Sequence, residues 1–257
     1  MTDNATGTDA AGEITGQMFL YEKPELLAPE THGAYGFTPT DRPYDHVSKV
    51  RAIPLTTIEF GSAQRNFPII FSSVENPVPL AVVAILDDTN LFVDEAGQWD
   101  PMAYVPAYLK CYPFAFAAEE SGRMAVVVDM AAANVSEDPQ YPFFVDGKLS
   151  EHADAMMRLV AQYEGERNRT KEFCDTLVEL ELLTSLRATH TPEGASEPEP
   201  IADYISIDTE KLTALPADTV YELHKKGFLS AMYLQLYSLE NWRHLMARRV
   251  QSQPKAA

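Results

Sequence analysis

Cysteine is nearly absent from this chain of 257 residues. Its two thiols, Cys111 and Cys174, lie far apart in sequence, so neither a disulfide framework nor a CxxC metal site is written into it, and two buried thiols are expected. Basic residues are also scarce. Lys and Arg number 20 against 38 Asp and Glu, a net charge of −18 at pH 7 that repels nucleic-acid phosphates and anionic lipid. Nucleic acid is therefore not an expected partner. No apolar run approaches the ~18 residues of a transmembrane helix, and the first residues, MTDNATGTDAAGEITG, lack the basic and apolar regions of a secretory signal. A cytoplasmic protein is the default expectation. The chain also lacks a GxGxxG after a strand, a GxxxxGK[ST] loop and a GxSxG elbow, so nucleotide-dependent and α/β-hydrolase readings lose their usual support, and no cofactor is expected.

Aromatic residues are what the chain does have: 12 Phe, 12 Tyr and 2 Trp. A dense set runs from Phe92 through Trp99, Tyr104, Tyr108, Tyr112 and Phe114 to Phe116, interrupted by prolines and an acidic turn. So much ring area in so short a span is either a buried centre or a binding surface.

Periodicity divides the chain. Residues 1–16 read as a disordered lead and 18–50 as an extended arm rich in proline and aromatics. From 52 to 149 the pattern is that of β-structure. Ala52–Phe60, Phe67–Ser72, Pro79–Leu86 and Leu91–Asp94 are read as an antiparallel meander, followed by a helix over Pro101–Cys111 capped by Asp100 and kinked or split in two at Pro106, a central strand at Met124–Met130, and a turn at Asp146-Gly147. From 150 to 250 the period becomes helical, first as one long helix with a solvated middle or as two helices after Ser150, and then with a hairpin near 185–208 around the acidic loop TPEGASEPEP. Pro216–Lys226 reads as a helix closed by Gly227, and Phe228–Arg249 as one helix burying Leu229, Met232, Leu236, Leu239 and Met246. The expected fold is α+β, with an antiparallel β-rich N-terminal half covered by C-terminal helices in a single domain over 17–257.

IPLTTIEFGSAQRNFPIIF (Ile53 to Phe71), LFVDEAGQWDPMAYVPAYLKCYPF (Leu91 to Phe114) and GFLSAMYLQLYSLENWRHL (Gly227 to Leu245) together resemble the SapC-like bacterial family, in the family's order and over the span from His46 to Leu245. The resemblance implies an accessory role associated with the bacterial envelope and its paracrystalline surface layer. It supplies no catalytic residues. A permease role conflicts with the absence of any spanning segment.

For chemistry, His152-Ala153-Asp154 is an HxD that could supply two ligands of an iron site, with His190 or His224 as a third, giving a metal-dependent oxygenase as the alternative function. Against it, His and Asp two residues apart on a helix point in different directions. Carboxylate pairs such as Asp87-Asp88, Asp94-Glu95 and Glu119-Glu120 sit where turns are expected and read as solvated. The aromatic set is the better lead. Trp99, Tyr104, Tyr108 and Tyr112, with Tyr233, Tyr237, Trp242 and Arg243 from the last helix, are the candidate binding residues for a groove near Trp99–Tyr112. The expected function is a non-catalytic binding or accessory protein whose partner is a protein, peptide or glycan.

Overall fold

A computed structural model describes residues 18–118, 124–191, 194 and 196–252. The lead 1–16, the pair Glu119-Glu120, parts of the 191–200 loop and residues 253–257 lie outside the described residues. The fold is α+β: the sheets are antiparallel and helices dominate the C-terminal region. The chain divides into two compact units, one of residues up to 40 with 111–161, the other of 41–110 with 162 onward.

In the first unit the arm residues supply structure of their own. The strand β1 (Pro24–Leu26) pairs with β7 (Met124–Asp129), which pairs on its other side with β6 (Phe114–Ala118). After the one-turn helix α1 (Pro29–His32), the strand β2 (Gly36–Phe37) lies between β8 (Val135–Ser136) and β9 (Tyr141–Pro142). A hairpin of β10 (Phe144–Val145) and β11 (Lys148–Leu149) follows, and its turn is Asp146-Gly147 with φ of 52° and 70°, the two positive angles that a twisted two-residue hairpin needs. Phe114 meets Phe143 edge-on at 5.1 Å in the core, with Val127 and Val128 fully buried.

The second unit is built on a five-stranded sheet in the order β12 (Leu183–His190), β13 (Glu199–Ile207), β4 (Ile69–Phe71), β5 (Pro79–Val82), β3 (Ala52–Pro54). This corrects the expected meander: β3 pairs with β5 rather than with β4, and the late hairpin takes the other side of β4. Between β3 and β4 the chain is helical, a 3₁₀ turn at Thr57–Glu59 running into α2 (Phe60–Ala63). Leu91–Asp94 forms no strand among the described residues. It contributes one bridge, Val93 to Trp99, around Gly97, whose φ is 70° and where an added Cβ would stand 2.8 Å from Arg42 Cβ. The helix expected over Pro101–Cys111 is confined to α3 (Ala107–Cys111), because Pro106 can continue no helical hydrogen bond; Asp100 caps only the turn at Met102.

The long helix α4 (Glu151–Glu179) begins in the first unit and ends in the second. There Phe173 lies among Phe60, Phe71 and Phe228, with centroids 6.1, 6.4 and 5.4 Å away. Each such ring contributes on the order of 1.5–3 kcal/mol by burial. After α5 (Thr209–Thr213) and α6 (Ala217–Lys225), Gly227 turns the chain with φ 76° into α7 (Phe228–Ser238) and α8 (Asn241–Ser252).

The single last helix of the sequence reading is thus two helices, and its buried face is turned. Phe228, Ala231, Met232, Gln235 and Ser238 are buried in α7, while Leu229, Leu236 and Leu239 are only partly covered. The reason is polar. Ile69 at the start of β4 donates its N–H to Ser238 Oγ (2.8 Å), and its carbonyl accepts from Gln235 Nε2 (2.8 Å), so α7 satisfies backbone groups where β4 pairs with β13 at one position. Asn241 Nδ2 then donates to Ser238 O (3.0 Å), Gln64 O (2.7 Å) and Phe67 O (3.1 Å), ending α7 and starting α8. Replacing Gln235 with Leu leaves the Ile69 carbonyl and Ser206 hydroxyl without this partner. A loss of about 1–3 kcal/mol is expected in urea denaturation, with an unchanged slope.

Candidate functional site

The stretch Tyr104–Tyr112 is held through two buried carboxylates. In the second unit Glu59, 4% exposed, accepts from Thr56 N and Thr56 Oγ1 (2.8 Å each) at one oxygen, and from the Tyr104 hydroxyl (3.1 Å) and Ala107 N (2.7 Å) at the other. In the first unit Asp129, with no exposure, accepts from Lys23 N (2.8 Å), Ala131 N (3.1 Å), Glu22 N (3.1 Å) and the Tyr112 hydroxyl (3.0 Å). Burial and the facing carboxylate both push the Tyr104 and Tyr112 phenols well above their ordinary range. These two candidate residues therefore fix the backbone, and neither offers a free hydroxyl to a ligand.

The other candidate rings separate by role. Trp99 is 6% exposed, stacked on Phe92 at 5.9 Å and edge-on to Phe67 at 6.3 Å, and Trp242 is 8% exposed against Tyr204 at 5.2 Å. Both are core rings. Tyr233 and Tyr237 stack on each other at 6.3 Å on the outer side of α7, 45% and 65% exposed. Arg243 is exposed, 3.7 Å from Glu240. Tyr108 is half-buried, edge-on to Tyr163 of α4 at 5.9 Å.

Tyr163 leads into a cleft of about 510 Å³ between α4 and the loop that joins β4 to β5. Pro54, Pro77, Pro79 and Tyr163 supply flat apolar surface, and Asn76 and Asn168 supply amide donors and acceptors. The charges are locally balanced: Arg167 holds the Glu164 carboxylate with two nitrogens, and Lys171 holds Asp175 at 2.6 Å. Cys174 also lines the cleft, but burial pushes its thiol up to about 12, so at neutral pH it is a protonated, unreactive group. The arrangement suits binding of a neutral, partly apolar ligand, and it contains no activated nucleophile. Sequence reading missed Tyr163 and the prolines because each is unremarkable in its own segment. The regular spacing of Tyr163, Arg167 and Lys171 along α4, four residues apart on one face, is the signal that was available.

The HxD residues are engaged elsewhere. His152 stacks on Tyr141 at 4.7 Å and lies 5.6 Å from Phe37, while Asp154 pairs with Arg158 one turn on. His190 ends β12 and His224 is exposed on α6. Among the described residues no group of three His, Cys, Asp or Glu side chains converges as metal ligands do. The oxygenase alternative thus has no ligand set to support it. Nor, among the described residues, is any helix long and apolar enough to cross a membrane.

A family model described as SapC matches residues 27–245, most of the chain. No curated protein and no solved structure matches.

The raised phenols set the response to alkali. Their folded pKa values lie above the unfolded value near 10, so the stability they confer is whole below about pH 10 and falls as pH rises through the folded values. Denaturation between pH 8 and 11 is expected to show a steeper loss above pH 10 in the native protein than in a Tyr104→Phe/Tyr112→Phe variant, which starts lower. Absorbance at 295 nm reports the ionisation.

Proposed function

The chain belongs to the SapC family, and we propose that it acts as a non-catalytic binding or accessory protein that recognises a peptide or glycan through the cleft beside Tyr163. The observation that carries this reading is the lining of that cleft. Three prolines and a tyrosine face it together with amide side chains, the mixture of flat apolar area and oriented polar groups that ligand sites share. Tyr108, of the aromatic set singled out in the sequence, meets Tyr163 edge-on at 5.9 Å. A short extended peptide fits best, because a proline-rich or otherwise preordered segment packs on such surfaces at small entropic cost. The resemblance to a surface-layer component directs the search toward envelope peptides and glycans.

The charge pairs along α4 serve this role by standing at the rim. Arg167, Lys171 and Asp175 stand beside the opening, Lys171 and Asp175 as a solvated pair that exchanges partners at little cost, and Arg167 held by the largely covered Glu164. Binding should therefore depend weakly on salt and strongly on ring area.

The test is a panel of proline-rich peptides and chitooligosaccharides titrated by calorimetry against the native protein and Tyr163→Ala. Removal of the ring is expected to weaken the best ligand by about tenfold or more, roughly 1.4 kcal/mol. Equal affinity for both proteins, with a hit from the panel in hand, would remove the cleft from consideration.

A further inference from the structure

The strand β12 is one edge of the five-stranded sheet. The strand β13 lies on one side of it and, among the described residues, no strand lies on the other. It is eight residues long, whereas β3 at the opposite edge has three. Such an edge presents a row of N–H and C=O groups that template another chain, and proteins commonly blunt it with Lys, Pro or a central bulge. This strand, LTSLRATH, has no Lys and no Pro, and its register shift falls late, between Ala188 and Thr189. Its one formal charge, Arg187, is drawn across to Asp203 on β13 (Nε to Oδ1, 2.6 Å) and does not guard the edge. Ser185, Leu186 and Arg187 are all exposed.

A second observation lies at the C-terminal end of the same strand. A groove of about 640 Å³ runs between the hairpin and α8, with walls of Leu86, Ile201, Met246 and Val250 and with His190 of β12 on its lining. Leu86 and Val250, both more than half exposed, are large apolar side chains facing one groove. Leu86 also holds φ at 69°, a left-handed backbone that costs a bulky residue roughly 1–3 kcal/mol. Arg243, which also lines the groove, lies beside Glu240 and so contributes little net charge.

Charge identifies the occupant. From Leu183 to Ile207 the sequence carries one Arg against Glu193, Glu197, Glu199 and Asp203, and Asp203 is already paired. A second copy of the chain would bring the same excess and its own −18 to the edge, so self-pairing is opposed. We propose that β12 takes up an extended, lysine- or arginine-bearing segment of a partner protein as a sixth strand, with one apolar side chain of that segment seated in the groove beside α8. Backbone pairing supplies the affinity, the groove selects the apolar residue, and the hairpin glutamates steer the basic ones. This surface is distinct from the Tyr163 cleft and stands or falls without it.

The test uses a fluorescein-labelled nine-residue peptide alternating lysine and valine, titrated with the full chain by anisotropy at low and moderate salt. Two further peptides carry N-methyl groups on alternate amides, one for each edge of the extended strand. Binding is expected to fall at least about tenfold for one methylated peptide and to stay within about twofold for the other, since only one edge meets β12. A Glu197→Gln/Glu199→Gln variant should bind several-fold more weakly and with a flatter salt dependence, while Tyr163→Ala should bind as the native protein does. Loss by neither methylated peptide would mean charge attraction alone and would overturn the proposal. So would absence of binding at millimolar peptide, or sedimentation of the protein as a dimer that Leu186→Lys dissociates, which would place a second copy on the edge.

Discussion

Two buried carboxylates, each met by backbone amides and hydroxyls, set the conditions for much of this molecule. Glu59 and Asp129 each accept four hydrogen bonds from backbone amides and hydroxyls. Burying a carboxyl group is expensive unless its oxygens find donors, so the donors have to arrive together. For Glu59 they come from the turn at Thr56, from Tyr104 and from the first turn of α3. For Asp129 they come from the chain entering β1, from Ala131 in the turn after β7, and from Tyr112. The stretch between the two tyrosines is thereby fixed within each unit by its ends, and Tyr108, between them, is left to back Tyr163.

The same economy of polar groups shapes the helices. The helix α7 buries Gln235 and Ser238 because Ile69 has backbone groups that the short pairing of β4 with β13 leaves for side chains to complete. That requirement rotates the helix and leaves Tyr233 and Tyr237 outward. It also places Asn241 where its amide closes α7, turning the chain into α8, whose Arg248 reaches Asp100 (2.7 Å) and whose Arg249 pairs with Asp87. The C-terminal helices are thus tied to the turns of the β-rich segment by side-chain bonds as well as by apolar area.

How much of the site was legible varies by residue. The aromatic stretch announced itself by density, and its tyrosines do organise the fold, yet density does not say which ring is core and which is surface. Trp99 and Trp242 are buried because Phe92 and Phe67, or Tyr204, happen to lie opposite them, a fact of topology rather than of spacing. Cleft residues from β3 and the loop after β4 (Pro54 to Pro79) meet residues of α4 (Tyr163 to Asp175) that lie far along the chain, so no local pattern joins them.

Sequence alone determined the class of the fold, the turn at Asp146-Gly147, the glycine stop before α7, the start of helical structure at Ser150 and the family, because each rests on local chemistry: backbone angles that only certain residues adopt readily, apolar periodicity, and runs of residues long enough to be distinctive. Tertiary structure alone decided the order of the sheet, the turned face of α7, the partners of Glu59 and Asp129 and the lining of the cleft. These depend on which polar groups from distant segments satisfy one another, and that pairing is set by the whole packed chain.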